Sequence, residues 1–414
     1  MLKNYLLTAY KVFMRRKLFT AINLACIVLT LVVLMVITAL LDTAFYPQGV
    51  EGKSDRFLQV MTLRLDGPGG HRRSRTPLGY KLIDKYLKPM QGIERVAAVT
   101  STESVSVYQG DRISELQMRR ADADYWKVLD FTVLAGRLPT PDDDLRGRLV
   151  AVLNQSSANK LFGGTPAAAV GRKIDLEGRA FEIIGVVRDE MHLNAFADIW
   201  APITTFASTD YRNQLTGPFT ALLLARSADD LPRIRHEVER IAQTVVMDDP
   251  KQWEKARFWA DSKIDLFTRM LFNSEEVDPG SGKLVAILSA AMVLFMLLPA
   301  LNMVNLNMGR IMERRAEIGV RKAFGATSAQ LAAQLVVENV LLCLVGGLLA
   351  LGAAAAVLWW LESINLITYL KVHLNLAVFG YGMLIASLFG LLSGVVPAWK
   401  TSRLDPVHAL KGTI

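Results

Sequence analysis

Four stretches of this chain run without a charged side chain for at least the roughly 20 residues that a helix needs to cross a bilayer: 21–41, 284–308, 339–361 and 373–399. In lipid every backbone N–H and C=O has to be bonded within its own segment, so such stretches read as helices. Of the 414 residues, 51% are hydrophobic and 21% charged. That balance is too apolar for a wholly soluble protein and too charged for one embedded throughout, which excludes a purely soluble enzyme. The expected fold is an α-helical membrane protein with four transmembrane helices plus a large α+β extracytoplasmic domain.

The formal net charge of +8 would suit a nucleic-acid binder only if it were spread over a folded surface. It is not. Between residues 43 and 282 the charges nearly cancel, 32 Lys and Arg against 33 Asp and Glu. The excess sits in three short flanks: Lys3, Lys11, Arg15, Arg16 and Lys17 before the first span; Arg310, Arg314, Arg315, Arg321 and Lys322 after the second; Lys400, Arg403 and Lys411 after the fourth. Short Lys/Arg-rich flanks stay on the cytoplasmic side, and all three agree on one topology. Both termini and residues 307–333 lie inside, and 43–282 and 362–375 outside, as expected of a multi-pass protein of the cell inner membrane with a periplasmic domain. Membrane lipid, not nucleic acid, is the partner that this basicity implies.

The first apolar stretch is longer than the roughly 7–15 residues of a signal-peptide core, and no small-residue cleavage site follows it, so an uncleaved anchor is expected. The segment ahead of it, from Tyr5 to Phe13, mixes aromatics and leucines with lysines, as in a helix lying along the cytoplasmic interface. Cys26 and Cys343 both fall inside apolar stretches, and the five histidines are scattered, so neither a disulfide framework nor a metal site is expected. Gly280, Ser281, Gly282 and Lys283 imitate the end of a phosphate-binding loop. Val277 stands where its first glycine belongs and Leu284 where a magnesium-holding hydroxyl belongs, so a flexible joint into the second span is the expectation.

Residues 43–282 suffice for one sizeable or two small domains. Strand-like runs at 56–65 and 95–99 flank a helical pattern at 77–90, and strands at 219–225 and 256–259 flank another at 229–246. Two β-α-β units around an insert suggest a discontinuous α/β domain, with a small β-rich subdomain at about 125–204 mounted on it. The domain expectation is therefore 1–42 for the interfacial helix and first span, 43–282 for the periplasmic core, and 283–414 for the rest. The last part holds spans at 284–308, 335–361 and 376–399, a loop at 309–333, and a cytoplasmic tail.

That loop is the most informative stretch. Ala316, Val320, Ala323 and Phe324 fall on one helical stripe, and Glu313, Glu317 and Arg321 follow at fourth-residue spacing for ion pairing. Gly325 can end the helix in a left-handed cap, and Thr327 with Gln330 fits a capping box that starts the next one. A short amphipathic helix, a sharp turn and a long membrane helix make an elbow that suits a partner's groove; a solvated basic loop that only enforces topology is the plainer alternative.

With these residues in view, ERRAEIGVRKAFGAT at 313–327 resembles the signature of the FtsX-like permeases of ABC transporters, a group that includes MacB-type and lipoprotein-release permeases. PAWKTSRLDPVHALK at 397–411 is similar to their C-terminal motif. ADADYWKVLDFTVLAGR at 121–137 and FEIIGVVRD at 181–189 are similar to their periplasmic core, and MLKNYLLTAY with RRKLFTAIN to their opening. The resemblance implies a porter-like head with an inserted β-rich subdomain, a second permease subunit in a homo- or heterodimer, and a separate cytoplasmic ABC ATPase. That partner would use ATP and magnesium, leaving this chain without cofactor or catalytic residue. A periplasmic adaptor and an outer-membrane channel are further implied partners. By motif, the ATPase-coupling residues would be Glu313, Arg314, Glu317, Ile318, Arg321, Phe324 and Gly325, joined by Arg403, Asp405 and Pro406. ATP-driven closing of the dimer would then move the head, by mechanotransmission, to export or extract a substrate. The alternative within the same resemblance is a signal transducer that relays ATPase motion to cell-wall hydrolases.

Inside the spans a few residues stand out as packing candidates. Glu338, beside Gln334 and Asn339, is an ionisable group near the inner end of the third span, expected to make a contact between helices. Asn302 and Asn305, just beyond Pro299, suit backbone satisfaction or bonds across helices. Gly346 with Ala350, and Gly390 with Gly394, are small-residue pairs that allow close approach either at a dimer seam or within one subunit. The topology makes a direct prediction. In a background lacking Cys26 and Cys343, cysteines at Ser74 or Ser208 should react with a membrane-impermeant thiol reagent on intact spheroplasts, and cysteines at Ser328 or Ser402 only after permeabilisation. Labelling at Ser402 without permeabilisation would invert the assignment.

Overall fold

An unbroken run of apolar residues makes helix α1 (Lys17–Phe45), 29 residues long, of which Thr20–Phe45 is apolar enough to cross a membrane. The structure, a computed structural model, describes residues 13–15, 17–109, 112–313, 320, 324, 327–364, 372, 376–377, 379–384, 387–388 and 391. The interfacial helix expected at 5–13 lies almost wholly outside them. The chain divides into two compact units: 44–281, called the head below, and a membrane unit made of 1–43 with 282–414.

Among the described residues of the head there are thirteen strands. In chain order they are β1 (Phe57–Val60), β2 (Leu63–Asp66), β3 (Arg73–Thr76), β4 (Ile93–Thr100), β5 (Glu103–Gln109), β6 (Arg112–Ala121), β7 (Val133–Gly136), β8 (Val150–Asn154), β9 (Lys173–Leu176), β10 (Arg179–Val187), β11 (Ile199–Pro202), β12 (Phe219–Ala225) and β13 (Lys255–Phe258). Two longer helices accompany them, α2 (Leu231–Thr244) between β12 and β13, and α3 (Lys263–Phe272) after β13.

Strand β12 reads FTALLLA because both of its faces are covered. It lies between β1 and β4, antiparallel to each. One face packs Leu58, Val96 and Leu223 under α2, through Ile234, Val238 and Ile241; the other packs Phe57, Ala97, Leu222 and Leu224 against Tyr125, Trp126 and Trp200. The run at 56–65, expected as one strand, is two. β1 joins the large sheet, while β2 turns away after residues 61–62 to pair with β3 and β13 in a separate three-stranded sheet. The helix expected at 77–90 is shorter, a helical turn at Tyr80–Leu82 running into a π-helical turn at Ile83–Leu87. Its start is delayed because Leu78 pairs with Phe219, and the Gly79 N–H donates to Leu215 O at 2.6 Å. A Cβ at residue 79 would stand 1.9 Å from Gln214 O, so only glycine passes this crossing.

The β-rich insert is not a separate sheet beginning near 125. The large sheet runs on from β4 to β6, where Val99 pairs with Ala121, and then through β11, β8, β10 and β9 to β5. β5 also pairs with β6 along its whole length, so these six strands close into a barrel. The hairpin at 103–121 thus belongs to the insert, because closure removes the open edges that 125–204 alone would leave. Val105, Val107, Leu116, Met118, Phe181 and Ile183 fill the interior.

At the barrel's rim, Asp143 is buried and accepts hydrogen bonds from Arg137 at 2.6 Å and from the Thr140 hydroxyl at 2.7 Å. The Arg137 bond, with those from Thr140, outweighs burial and holds the Asp143 carboxyl well below the usual carboxylate range. A lowered folded value contributes stability above the ordinary aspartate pKa near ~4 that is lost as pH falls through the folded one. Asp143→Asn is therefore expected to destabilise the head by about 2 kcal/mol at neutral pH. In thermal unfolding, the gap to the unaltered protein should narrow steadily below pH ~4.

Candidate functional site: the membrane unit and the base of the head

Beyond the head come α4 (Ser281–Glu313) and α5 (Ser328–Ser363). Among the described residues, α1 and the part of α5 at Val336–Ser363 are the two helices long and apolar enough to span a bilayer, and Ser281–Leu297 of α4 is a shorter apolar stretch. The span expected at 376–399 is described only in pieces.

Gly346 is where α5 meets α1. A Cβ there would stand 2.7 Å from Ile27 Cγ2, and one on Gly347 would stand 1.8 Å from Met383 Sδ. Two adjacent glycines thus admit two different neighbours, and the contact at Gly346 lies within one subunit. Ile27, Leu31 and Met35 of α1 form a core there with Leu342, Cys343, Ala350 and Ala354 of α5. Gly347 escaped the sequence reading because a small-residue search with period four selects one face only.

Glu338 is buried, at 1% exposure, beside the equally buried Asn339. Gln334 Nε2 donates to its Oε1 at 3.1 Å, a bond within α5, and Oε2 has no hydrogen-bond partner among the described residues. Asn302 and Asn305 lie on α4. Gly390 and Gly394 are outside the described residues.

Of the expected coupling residues, Glu313 ends α4, and Phe324 is 89% exposed with its N–H donating to Val320 O at 3.0 Å, a helical turn. Thr327 and Gln330 form the expected capping box at the start of α5. Arg314, Glu317, Ile318, Arg321, Gly325, Arg403, Asp405 and Pro406 lie outside the described residues.

Sequence reasoning missed the base of the head, where the chain enters from α1 and leaves for α4. Lys263 donates to Glu51 Oε2 at 2.9 Å, both side chains being nearly buried, and Glu51 also accepts from Asn194 Nδ2 at 2.9 Å. Arg269 grips Asp261 through two bonds of 2.7 and 2.9 Å, stacks 4.3 Å over Trp259, and donates to Glu276 O at 2.7 Å. Asp265 accepts from Arg235 of α2 at 2.6 Å and from the Ser281 hydroxyl, the first residue of α4, at 2.5 Å. Burial pushes the Asp265 carboxyl up, but the Ser281 and Ser262 hydroxyls and Arg235 outweigh it and leave it below its ordinary range. At Asp261 burial prevails over the Arg269 bonds and raises it. At the expected joint, the Gly280 N–H donates to Asp278 at 2.8 Å and the Ser281 hydroxyl to Asp265 at 2.5 Å. One signal was available in the sequence, the capping box of Ser262 and Asp265 ahead of α3.

The profile of the MacB-like periplasmic core domain matches residues 20–241, and that of the FtsX-like permease C-terminal domain matches 289–406. The chain belongs to the MacB-like, FtsX-like family of ABC transporter permeases. It is 27% identical to the uncharacterized ABC transporter permease YknZ of Bacillus subtilis (strain 168), over 79% of this chain and 77% of that one. To the macrolide export ATP-binding/permease protein MacB of Burkholderia cenocepacia (strain HI2424) it is 28% identical, over 66% of this chain and 38% of the relative. The chain therefore spans well under half the length of that relative. The crystal structure of the periplasmic region of MacB from Actinobacillus actinomycetemcomitans aligns over 55% of this chain and 98% of that one, at 18% identity and a TM-score of 0.38.

As a permease of this family the chain is a membrane transport protein with an extracytoplasmic domain, and the α1–α5 seam is open to direct test. Gly346→Leu should destabilise the membrane unit by about 2 kcal/mol through overpacking, read as a lower melting temperature in detergent. Ile27→Ala in the same chain should restore part of that loss; absence of rescue would place the strain elsewhere.

Proposed function

We propose that this permease couples ATP hydrolysis by a separate cytoplasmic ATPase to movement of its extracytoplasmic head, and that this movement exports or extracts a substrate at the outer face of the membrane. The observation that carries the reading is the braced base of the head. Residues next to α1 and the first residue of α4 are both bonded to one short helix, α3, through Glu51–Lys263 and Ser281–Asp265. Parting a buried ion pair leaves an uncompensated charge and costs about 3–5 kcal/mol. In this reading the two bonds are the route by which motion reaching residues 51 and 281 enters the head.

At the other end of the pathway, Phe324 exposes a large apolar side chain in a segment otherwise rich in charge. That supports docking in a hydrophobic pocket of the ATPase, and by motif Glu313, Glu317, Arg321, Arg403, Asp405 and Pro406 would take part in the same contact. The family places two permease subunits together, and a periplasmic adaptor and outer-membrane channel would complete an export path.

Two variants separate docking from transmission. Phe324→Asp should weaken ATPase retention by on the order of 3 kcal/mol while leaving membrane insertion intact, checked by co-purification. Glu51→Gln combined with Lys263→Met removes both charges of the brace, a change expected to be close to neutral for stability. It should keep the ATPase yet reduce the ATP-dependent change in distance between spin labels at Ser208 of two copies. Full retention of the ATPase by Phe324→Asp would refute docking through this segment, and an unaltered distance change in the double variant would refute transmission through the brace.

A further inference from the structure

Helix α3 is turned inside out. Its buried side chains are Asp265, Thr268 and Arg269 with one apolar residue, Leu266, whereas Phe267, Met270 and Leu271 are 46%, 62% and 56% exposed, with Phe272 exposed beside them. In a head surrounded by water the opposite arrangement is favoured, since an amphipathic helix buries its apolar stripe. The polar face of α3 is no accident of local packing, because each charge on it has a specific partner: Arg269 holds Asp261, and Asp265 holds Arg235 and Ser281. The outward face therefore meets an apolar phase.

The chain's own connectivity identifies that phase. Phe267 packs edge-on against Phe45, the last residue of α1, with ring centroids 5.4 Å apart. The exposed Tyr46 follows directly, its carbonyl 3.5 Å from Lys263 Nζ at the start of α3. On the other flank Ser281, the first residue of α4, is bonded to Asp265. Helix α1 is 29 residues long, which is ~43 Å at 1.5 Å per residue and matches the thickness of about 40–45 Å for a bilayer with its headgroups. With Lys17 at the inner surface, Phe45 and Tyr46 emerge among the outer headgroups, where aromatic side chains concentrate.

We propose that α3 lies in the outer headgroup layer of the bilayer, with Phe267, Met270 and Leu271 inserted among the phospholipid acyl chains. It is an interfacial helix within the head. The inference rests on the reading of α1 as a span, and the experiment separates the two.

Full-length protein lacking Cys26 and Cys343 carries a single cysteine labelled with bimane, in place of Phe267, Met270 or Leu271. Cysteines in place of Leu29, exposed at the middle of α1, and Leu145, exposed on the head, serve as references. The labelled proteins are reconstituted in phosphatidylcholine–phosphatidylglycerol vesicles, with or without acyl-brominated phosphatidylcholine. The expected result is quenching by brominated lipid at all three α3 positions and at Leu29, with none at Leu145. Quenching at Leu29 but not on α3 would overturn the proposal and leave the span intact. Disulfide formation between copies through the Met270 position, without quenching, would assign the face to a second subunit and overturn it equally. Failure of quenching at Leu29 would remove the span, and this inference with it. A measurement on the unsubstituted protein guards against misfolded variants: photolysis with a diazirine-bearing phosphatidylcholine should leave lipid adducts within 263–272, and their absence would count against the proposal.

Discussion

The buried charges around α3 are the constraint on which the ends of the head depend. The chain leaves the membrane unit once, after α1, and returns once, into α4, with 238 residues of folded head in between. Within the head, Glu51 is held against Lys263 and Ser281 against Asp265, and Lys263 and Asp265 both belong to α3. Arg269, fastened to Asp261 and to the carbonyl of Glu276, stiffens the turn that follows α3. Charges taken out of water are held to strict geometry because any loosening exposes an unpaired ion to a poor solvent.

Above this base the head manages its sheet edges in two ways. The half built from β1, β12 and β4 is covered on both faces, by α2 on one side and by the aromatic group around Trp126 and Trp200 on the other. The other half curls until β5 meets β6 and closes as a barrel. A strand that joins the two, β6, makes the insert and its support one hydrogen-bonded structure. In the membrane unit, where lipid is as apolar as leucine and burial supplies little drive, adhesion of α1 to α5 comes from close approach at Gly346.

Much of this was legible in the residues. Uninterrupted apolar length marks α1 and the Val336–Ser363 part of α5 as long and apolar enough to cross a membrane, regardless of neighbours. The run FTALLLA could belong only to a strand with both faces covered, and the capping box at Thr327 is a local device that forms wherever its four residues occur. The motif at 313–327 carried the family. Less legible were the barrel's true beginning at Glu103 and the division of 56–65 into strands of two sheets, since alternation of apolar residues marks a strand without naming its partner.

The sequence by itself determined that two helices are long and apolar enough to cross a membrane, and which stretches match the permease family, because those properties are sums over neighbouring residues. Tertiary structure alone decided that Glu51 meets Lys263 across 212 positions, that Ser281 meets Asp265, and that the apolar face of α3 points away from its own core. Charge pairing and burial depend on which surfaces the completed fold brings together. A ten-residue helix with acids and bases on one side and phenylalanine, methionine and leucine on the other reads the same whichever side faces in.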